Sequence, residues 1–157
     1  MADKETIEKT LNLDLEGHVV ESTYFFFDTN PKTRKKLAIV FGGFEKCASD
    51  FEIKRQTYPY YVLEIPLKGK CDLSIKEKKY ELKNGTLSAF PPGTAHHYKC
   101  NPTKPLEHIF VVFTGSQAKE LFGQCGLNHG SVIDLLKQRQ THYLAGAILK
   151  NGLEKTE

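Results

Sequence analysis

The chain has 157 residues, of which 39% are hydrophobic and 26% charged, with 12 Gly and 7 Pro. That is the size and mixture of one globular domain with a true core, and it excludes collagen-like, low-complexity and largely disordered chains. The net charge of +3, from 22 Lys and Arg against 19 Asp and Glu, is too small to imply nucleic-acid or membrane binding by bulk charge alone.

Ten Phe, seven Tyr and no Trp tilt the apolar content toward residues that suit a pleated, half-buried surface. The opening MADKETIEK is charged rather than secretion-like, and no apolar run approaches the roughly 18 residues of a membrane span. A cytoplasmic protein with no membrane partner is expected. After a dozen polar residues, strand-length segments follow one another: His18 to Asp28, Lys36 to Phe44, Asp50 to Arg55, Tyr58 to Leu67, Cys71 to Ile75, Lys79 to Leu82, Thr86 to Phe90, His96 to Cys100 and Glu107 to Thr114. Each is bounded by a breaker or a polar cluster, such as Asn84-Gly85, Pro91-Pro92-Gly93 or Asn101-Pro102, which act as turns. Nine such segments predict a mainly β fold, an antiparallel barrel or sandwich. The basic run Lys32 to Lys36 follows Asn30-Pro31 and reads as a solvated loop rather than a phosphate patch.

The pattern changes at Thr114-Gly115. Ser116 stands as an N-cap before apolar or small residues at Ala118, Leu121, Phe122 and Cys125, with Gly126 beyond them, which predicts a short amphipathic helix. From Ser131 a second apolar face is traced by Ile133, Leu136, Leu144, Ala147 and Ile148, predicting a second helix whose start competes with a last strand at Val132 to Leu135. The expected organisation is therefore a β domain over residues 1–114 and a helical segment over 115–157, without internal repeats. The cysteines lie 24, 29 and 25 residues apart with no Cys-x-x-Cys pair; buried or idle thiols are expected.

The segment Gly85 to Asn101, with its Pro91-x-Gly93 turn and the following His96, resembles the second conserved motif of the cupin superfamily. Even spacing puts His96, Tyr98 and Cys100 on one strand face and His97 and Lys99 on the other. The first cupin motif would supply two histidines and a glutamate; counting back from Glu64 at even spacings gives Tyr58 and Tyr60 instead. Glu64 and His96 alone are a poor ligand set for a divalent ion, so neither a metal nor another cofactor is expected, and the tyrosines suit a hydroxylated or aromatic ligand.

A broader likeness runs from Phe41 to about Leu127. GGFEKC, DFEIKR, YYVLEIPLKGKCDL, PPGTAHHY and EHIFVVFTG together resemble the N-terminal arm of AraC-type transcription regulators. The resemblance implies a cupin-like jelly-roll barrel followed by two C-terminal helices, an effector in the barrel and dimerisation through the helices. It places ligand contacts at Arg55, Tyr98, His108 and Phe110, with Glu45 near a small polar contact; Tyr60, Glu64 and His96, at the cupin-motif positions, complete the expected ligand-binding set. A dimerisation face is expected at Ile133, Leu136, Leu144 and Ala147. Leu106 and Phe110 stand where the family carries tryptophans, and stacking on Phe is weaker, so the effector, a sugar or sugar-like molecule, need not be arabinose. The family's two helix-turn-helix units do not fit within this chain, so DNA is expected to be reached only through a further domain. A sensing protein rather than an enzyme is the expectation. The alternative is a small cupin enzyme acting on a sugar or sugar acid with Glu64 and His96 as acid and base.

Overall fold

The computed structural model describes residues 18–29, 36–135 and 140–154. The N-terminal arm, most of the basic run and Leu136 lie outside the described residues. All nine expected strands are present: β1 (Val19–Phe26), β2 (Ala38–Cys47), β3 (Glu52–Arg55), β4 (Tyr61–Lys68), β5 (Lys70–Ile75), β6 (Lys78–Lys83), β7 (Thr86–Phe90), β8 (His96–Cys100) and β9 (Glu107–Thr114). They are followed by helix α1 (Ser116–Gln124), strand β10 (Ser131–Asp134) and helix α2 (Gln140–Glu154).

The expected barrel is not what forms. The strands make a six-stranded antiparallel sheet in the order β1-β2-β9-β4-β7-β10 and a four-stranded sheet in the order β3-β8-β5-β6. Neither closes: β1 and β10 end one sheet, β3 and β6 the other, and these edges do not pair with one another. The two sheets are joined by side chains instead of a backbone ladder, with Val40, Phe41, Val62, Phe110 and Val112 of the large sheet meeting Ile53, Leu73, Leu82 and Tyr98 of the small one in one buried cluster. Alternation of inward and outward residues is common to sandwiches and barrels, so the sequence pattern does not separate them.

The central strand β9 is buried on both faces. His108, Phe110 and Val112 point into the sandwich, while Ile109 and Phe113 meet the helical side. This double burial explains the near-continuous apolar run HIFVVF. Helix α1 covers one patch with Ala118 and Phe122 against Ala89, Phe113 and Leu127. Helix α2 brings Leu149 to Ile65 and Ile109.

One local expectation is corrected and one open alternative is decided. Gly115, at φ 121°, is the N-cap of α1 in place of Ser116, with no side-chain cap; the amide of Ala118 donates to its carbonyl. Ser131–Asp134 is a strand paired with β7, the alternative that competed with a helix start there, so Ile133 is on β10 and not on α2 (Gln140–Glu154). Ladder hydrogen bonds to Thr86–Ala89 satisfied this segment's backbone better than a helical turn next to Gly130.

Helix α2 docks through a glycine. Gly152 lies against the fully buried ring of Phe25, and a Cβ there would sit 2.5 Å from Phe25 Cγ; a Cβ on Gly42 of β2 would come within 2.6 Å of the same ring's Cζ. Helix propensity alone favours Gly152→Ala by about 1 kcal/mol, but overpacking a ring with no free side costs about 1–3 kcal/mol. The variant is expected to be net destabilised in urea unfolding; a stabilised variant would mean that α2 does not press on Phe25.

A buried polar row between the sheets

Inside the sandwich, a line of polar side chains crosses the large sheet strand by strand. Tyr24 of β1 donates its hydroxyl to Glu45 Oε1 of β2 at 2.7 Å. Glu45 Oε2 lies 3.1 Å from His108 Nε2 on β9, and Glu45 and His108 are direct cross-strand partners. The other ring nitrogen, His108 Nδ1, faces Glu64 Oε1 of β4 at 3.8 Å and has no hydrogen-bond partner among the described residues. Glu64 Oε2 accepts from Ser88 Oγ of β7 at 2.8 Å and from the Tyr98 hydroxyl of β8, which crosses from the small sheet. Five neighbouring strands thus contribute one residue each. Cross-strand register, with Glu45 opposite His108 and Glu64 opposite Ser88, aligns them on the inner face.

Buried charge of this kind is costly unless it is paired, and here each carboxylate has neutral or cationic donors. Burial opposes a charged His108, but the bond to Glu45 and the charges of Glu64 and Glu45 outweigh it and hold the imidazole pKa above its ordinary value. Tyr98 is pushed well above the usual phenol range by burial, then by the charge and hydrogen bond of Glu64. It is a proton donor across the physiological range.

Aromatic walls enclose the row. Phe41, Phe51, Tyr58, Phe90 and Phe110 line a cavity with Glu45, Glu64, Tyr98, His108 and Arg55, whose guanidinium stands 5.0 Å over the Tyr58 ring. The cavity volume is about 50 Å³, room for a few waters and well short of the ~300 Å³ at the lower end of ordinary ligand pockets. Of the residues expected to contact a ligand, Arg55, Glu64, Tyr98, His108 and Phe110 come together on this cavity. Tyr60 and His96 do not line it: Tyr60 packs edge-on to Tyr58, and His96 binds the Thr94 carbonyl at 2.9 Å through Nδ1 with Phe90 4.4 Å away. The pairing of Glu64 with His96 as acid and base is therefore not what the cavity presents. Ser88 and Tyr24 went unnoticed in the sequence because a lone hydroxyl on an apolar strand carries no pattern.

Three thiols gather at one end of the row. Cys71 and Cys100 are directly opposed across β5 and β8. The proximity of the two other thiols pulls the Cys100 pKa down against burial, while that proximity and burial push Cys47 and Cys71 up. Cys125 is exposed. The expectation of a non-catalytic protein needs correction on this ground. Glu45, Cys47 and His108, all buried, present ligand atoms within 4.8 Å of one another, a carboxylate, thiol and imidazole set able to hold a metal or to move a proton.

The family of AraC-like ligand binding domains matches residues 39–150. The chain belongs to that family. The AraC-like domain is also 26% identical over 91 residues to the Msm operon regulatory protein of Streptococcus mutans, a match that covers 58% of this chain and 33% of that protein. The chain thus spans a third of the length of this relative. Its fold is similar to that of YhaK from Escherichia coli, with a TM-score of 0.56 at 15% identity, over 75% of this chain and 52% of that one. Among the described residues no helix is long and apolar enough to cross a membrane.

Proposed function

We propose that this AraC-like domain is the sensing arm of a regulator and that its effector is a small polyhydroxylated molecule bound between the sheets. The observation that carries the reading is the polar row itself. Glu64, Tyr98, His108 and Glu45 combine carboxylate acceptors with hydroxyl and imidazole donors on the wall of an aromatic-lined cavity, the combination that recognises vicinal hydroxyls while ring faces cover the C–H faces of a sugar. Arg55 adds forked donors for a hydroxyl or carboxylate.

The small cavity sets a condition on the mechanism. A sugar is larger than about 50 Å³, so its binding selects a more open packing of the two sheets. Helix α2 lies on β1, β2 and β9, the strands that carry Tyr24, Glu45 and His108, and this continuity is the route by which the pocket biases the helical segment and a homodimer built on it. Leu144 and Ala147 belong to α2, whereas Ile133 is half-buried on β10. DNA is reached through a further domain.

The test is a thermal-shift screen of pentoses, hexoses and sugar acids, repeated on Glu64→Gln and Arg55→Ala, with mass by light scattering with and without each hit. A hit is expected to raise Tm in the parent chain, to lose at least about tenfold in affinity in Glu64→Gln, where a buried hydrogen-bond acceptor is weakened, and to change the dimer population. Hits that bind both variants as tightly as the parent would place the effector elsewhere.

A further inference from the structure

We propose that Glu45, Cys47 and His108 form a binding site for a zinc-type transition-metal ion at the base of the cavity. The donor set selects the class of ion. Thiolate and imidazole favour a borderline-soft divalent cation, whereas calcium and magnesium take six or more oxygens. The spacing fits as well: donors within 4.8 Å of one another, with Glu45 Oε2 and His108 Nε2 at 3.1 Å, need only modest rotamer adjustment to reach the about 3.3–3.8 Å donor separations of a tetrahedral zinc site.

The surroundings are those a metal site requires. Ligating histidines usually direct their second nitrogen to a carboxylate, and ligating carboxylates are themselves hydrogen-bonded. His108 Nδ1 is buried, without a hydrogen-bond partner among the described residues, and faces Glu64. Glu45 Oε1 accepts from the Tyr24 hydroxyl, and Oε2, 3.1 Å from His108 Nε2, would turn to the ion together with that nitrogen once the proton between them leaves. With Arg55 on the same wall, the ion's two positive charges offset Glu45, Glu64 and a Cys47 thiolate, and binding releases two protons to solvent, one from the Cys47 thiol and one from His108 Nε2. Three protein ligands leave a fourth position for water or for an oxygen of a bound molecule, and the cavity that Glu45 and His108 line has room for it.

This site is distinct from the cupin positions Tyr58, Tyr60, Glu64 and His96. Its sequence signal, a Glu-x-Cys pair with a histidine 61 residues on from Cys47, has no recognised spacing; only the β2–β9 pairing joins it.

The experiment uses the chain after chelator treatment, titrated with Co²⁺ or Zn²⁺ alone and without any sugar, so that its outcome is separate from that of the effector screen. One ion per chain is expected, with tetrahedral Co²⁺ bands and a sulfur-to-cobalt charge-transfer band. Cys47→Ser is expected to abolish the charge-transfer band and His108→Gln to weaken Co²⁺ at least tenfold, with Glu64→Gln weakening it about 10- to 100-fold through His108. Cys71→Ser, a buried thiol outside the ligand set, and Cys125→Ser, an exposed one, are expected to keep both band and affinity. Absence of cobalt uptake, or a charge-transfer band that survives Cys47→Ser, would overturn the proposal. If Cys47→Ser does not fold by circular dichroism, Glu45→Gln decides: a tenfold weaker Co²⁺ affinity with the band retained supports the site, and unchanged affinity rejects it.

Discussion

His108→Leu is expected to cost about 3–5 kcal/mol of unfolding free energy, far more than the loss of one hydrogen bond. The reason is what it leaves behind. Glu45 is 7% exposed and Glu64 8%, and removing the imidazole between them strips two buried carboxylates of their shared cationic neighbour, the situation in which breaking a buried pair is most costly. Replacing Glu45 as well, in Glu45→Met/His108→Leu, removes the stranded charge next to the new leucine. The double variant is therefore expected to be more stable than His108→Leu alone, because an apolar pair of similar volume carries no desolvation penalty. Urea unfolding of the cycle checks this. Strictly additive losses would mean that the two side chains act independently, and the polar row would not be an energetic unit.

Phe41→Ala is the second large effect, again about 3–5 kcal/mol. Phe41 is 1% exposed, stacks on Phe26 at 6.0 Å and meets Phe110 edge-on at 5.6 Å. It lines the cavity of about 50 Å³, so truncation removes packing partners on one side and enlarges the space on the other. The site has little room to collapse, since Phe41 belongs to β2, held between β1 and β9. The midpoint in urea should fall with the slope of the transition unchanged, as expected when only stability changes. A loss below about 1 kcal/mol would show that the two sheets close over the gap, and with it that the sandwich is deformable around the cavity.

That stiffness bears on sensing. Under the proposed sensing role, an effector larger than the cavity would force a change of packing on binding, and a close-packed interior moves between discrete arrangements rather than yielding continuously. The strands under α2 carry the polar row, so a repacking of the row is felt at the helix. A bound ion held by Glu45, Cys47 and His108 would fix the same strands, and it would place a Lewis acid where an effector oxygen could reach it.

Much of this was readable before the fold. Turn residues and apolar alternation marked every strand from β1 to β9, because those signals are local and short-range. Arg55, Glu64, Tyr98, His108 and Phe110 were grouped through family likeness and strand parity, and they share the cavity wall. Strand β10 was left open between helix and strand because four residues of mixed pattern hold no period to decide it, and only the free edge of β7 drew it into the sheet. Parity places His96 on the inner face, where it is buried with Tyr98 and Cys100, but only the packing shows that Phe90 and the Thr94 carbonyl lie against it there.

Side-chain period, turn chemistry and motif were enough to mark strands β1 to β9, their apolar faces and the family they belong to. Tertiary structure alone decided that two sheets face each other without closing, because closure depends on edge-to-edge hydrogen bonds that alternation does not encode. It also decided that Glu45, Cys47 and His108 meet. They are brought together by antiparallel register between β2 and β9, residues 63 apart in the chain and adjacent across one ladder, and register is set by the packing of the whole sheet.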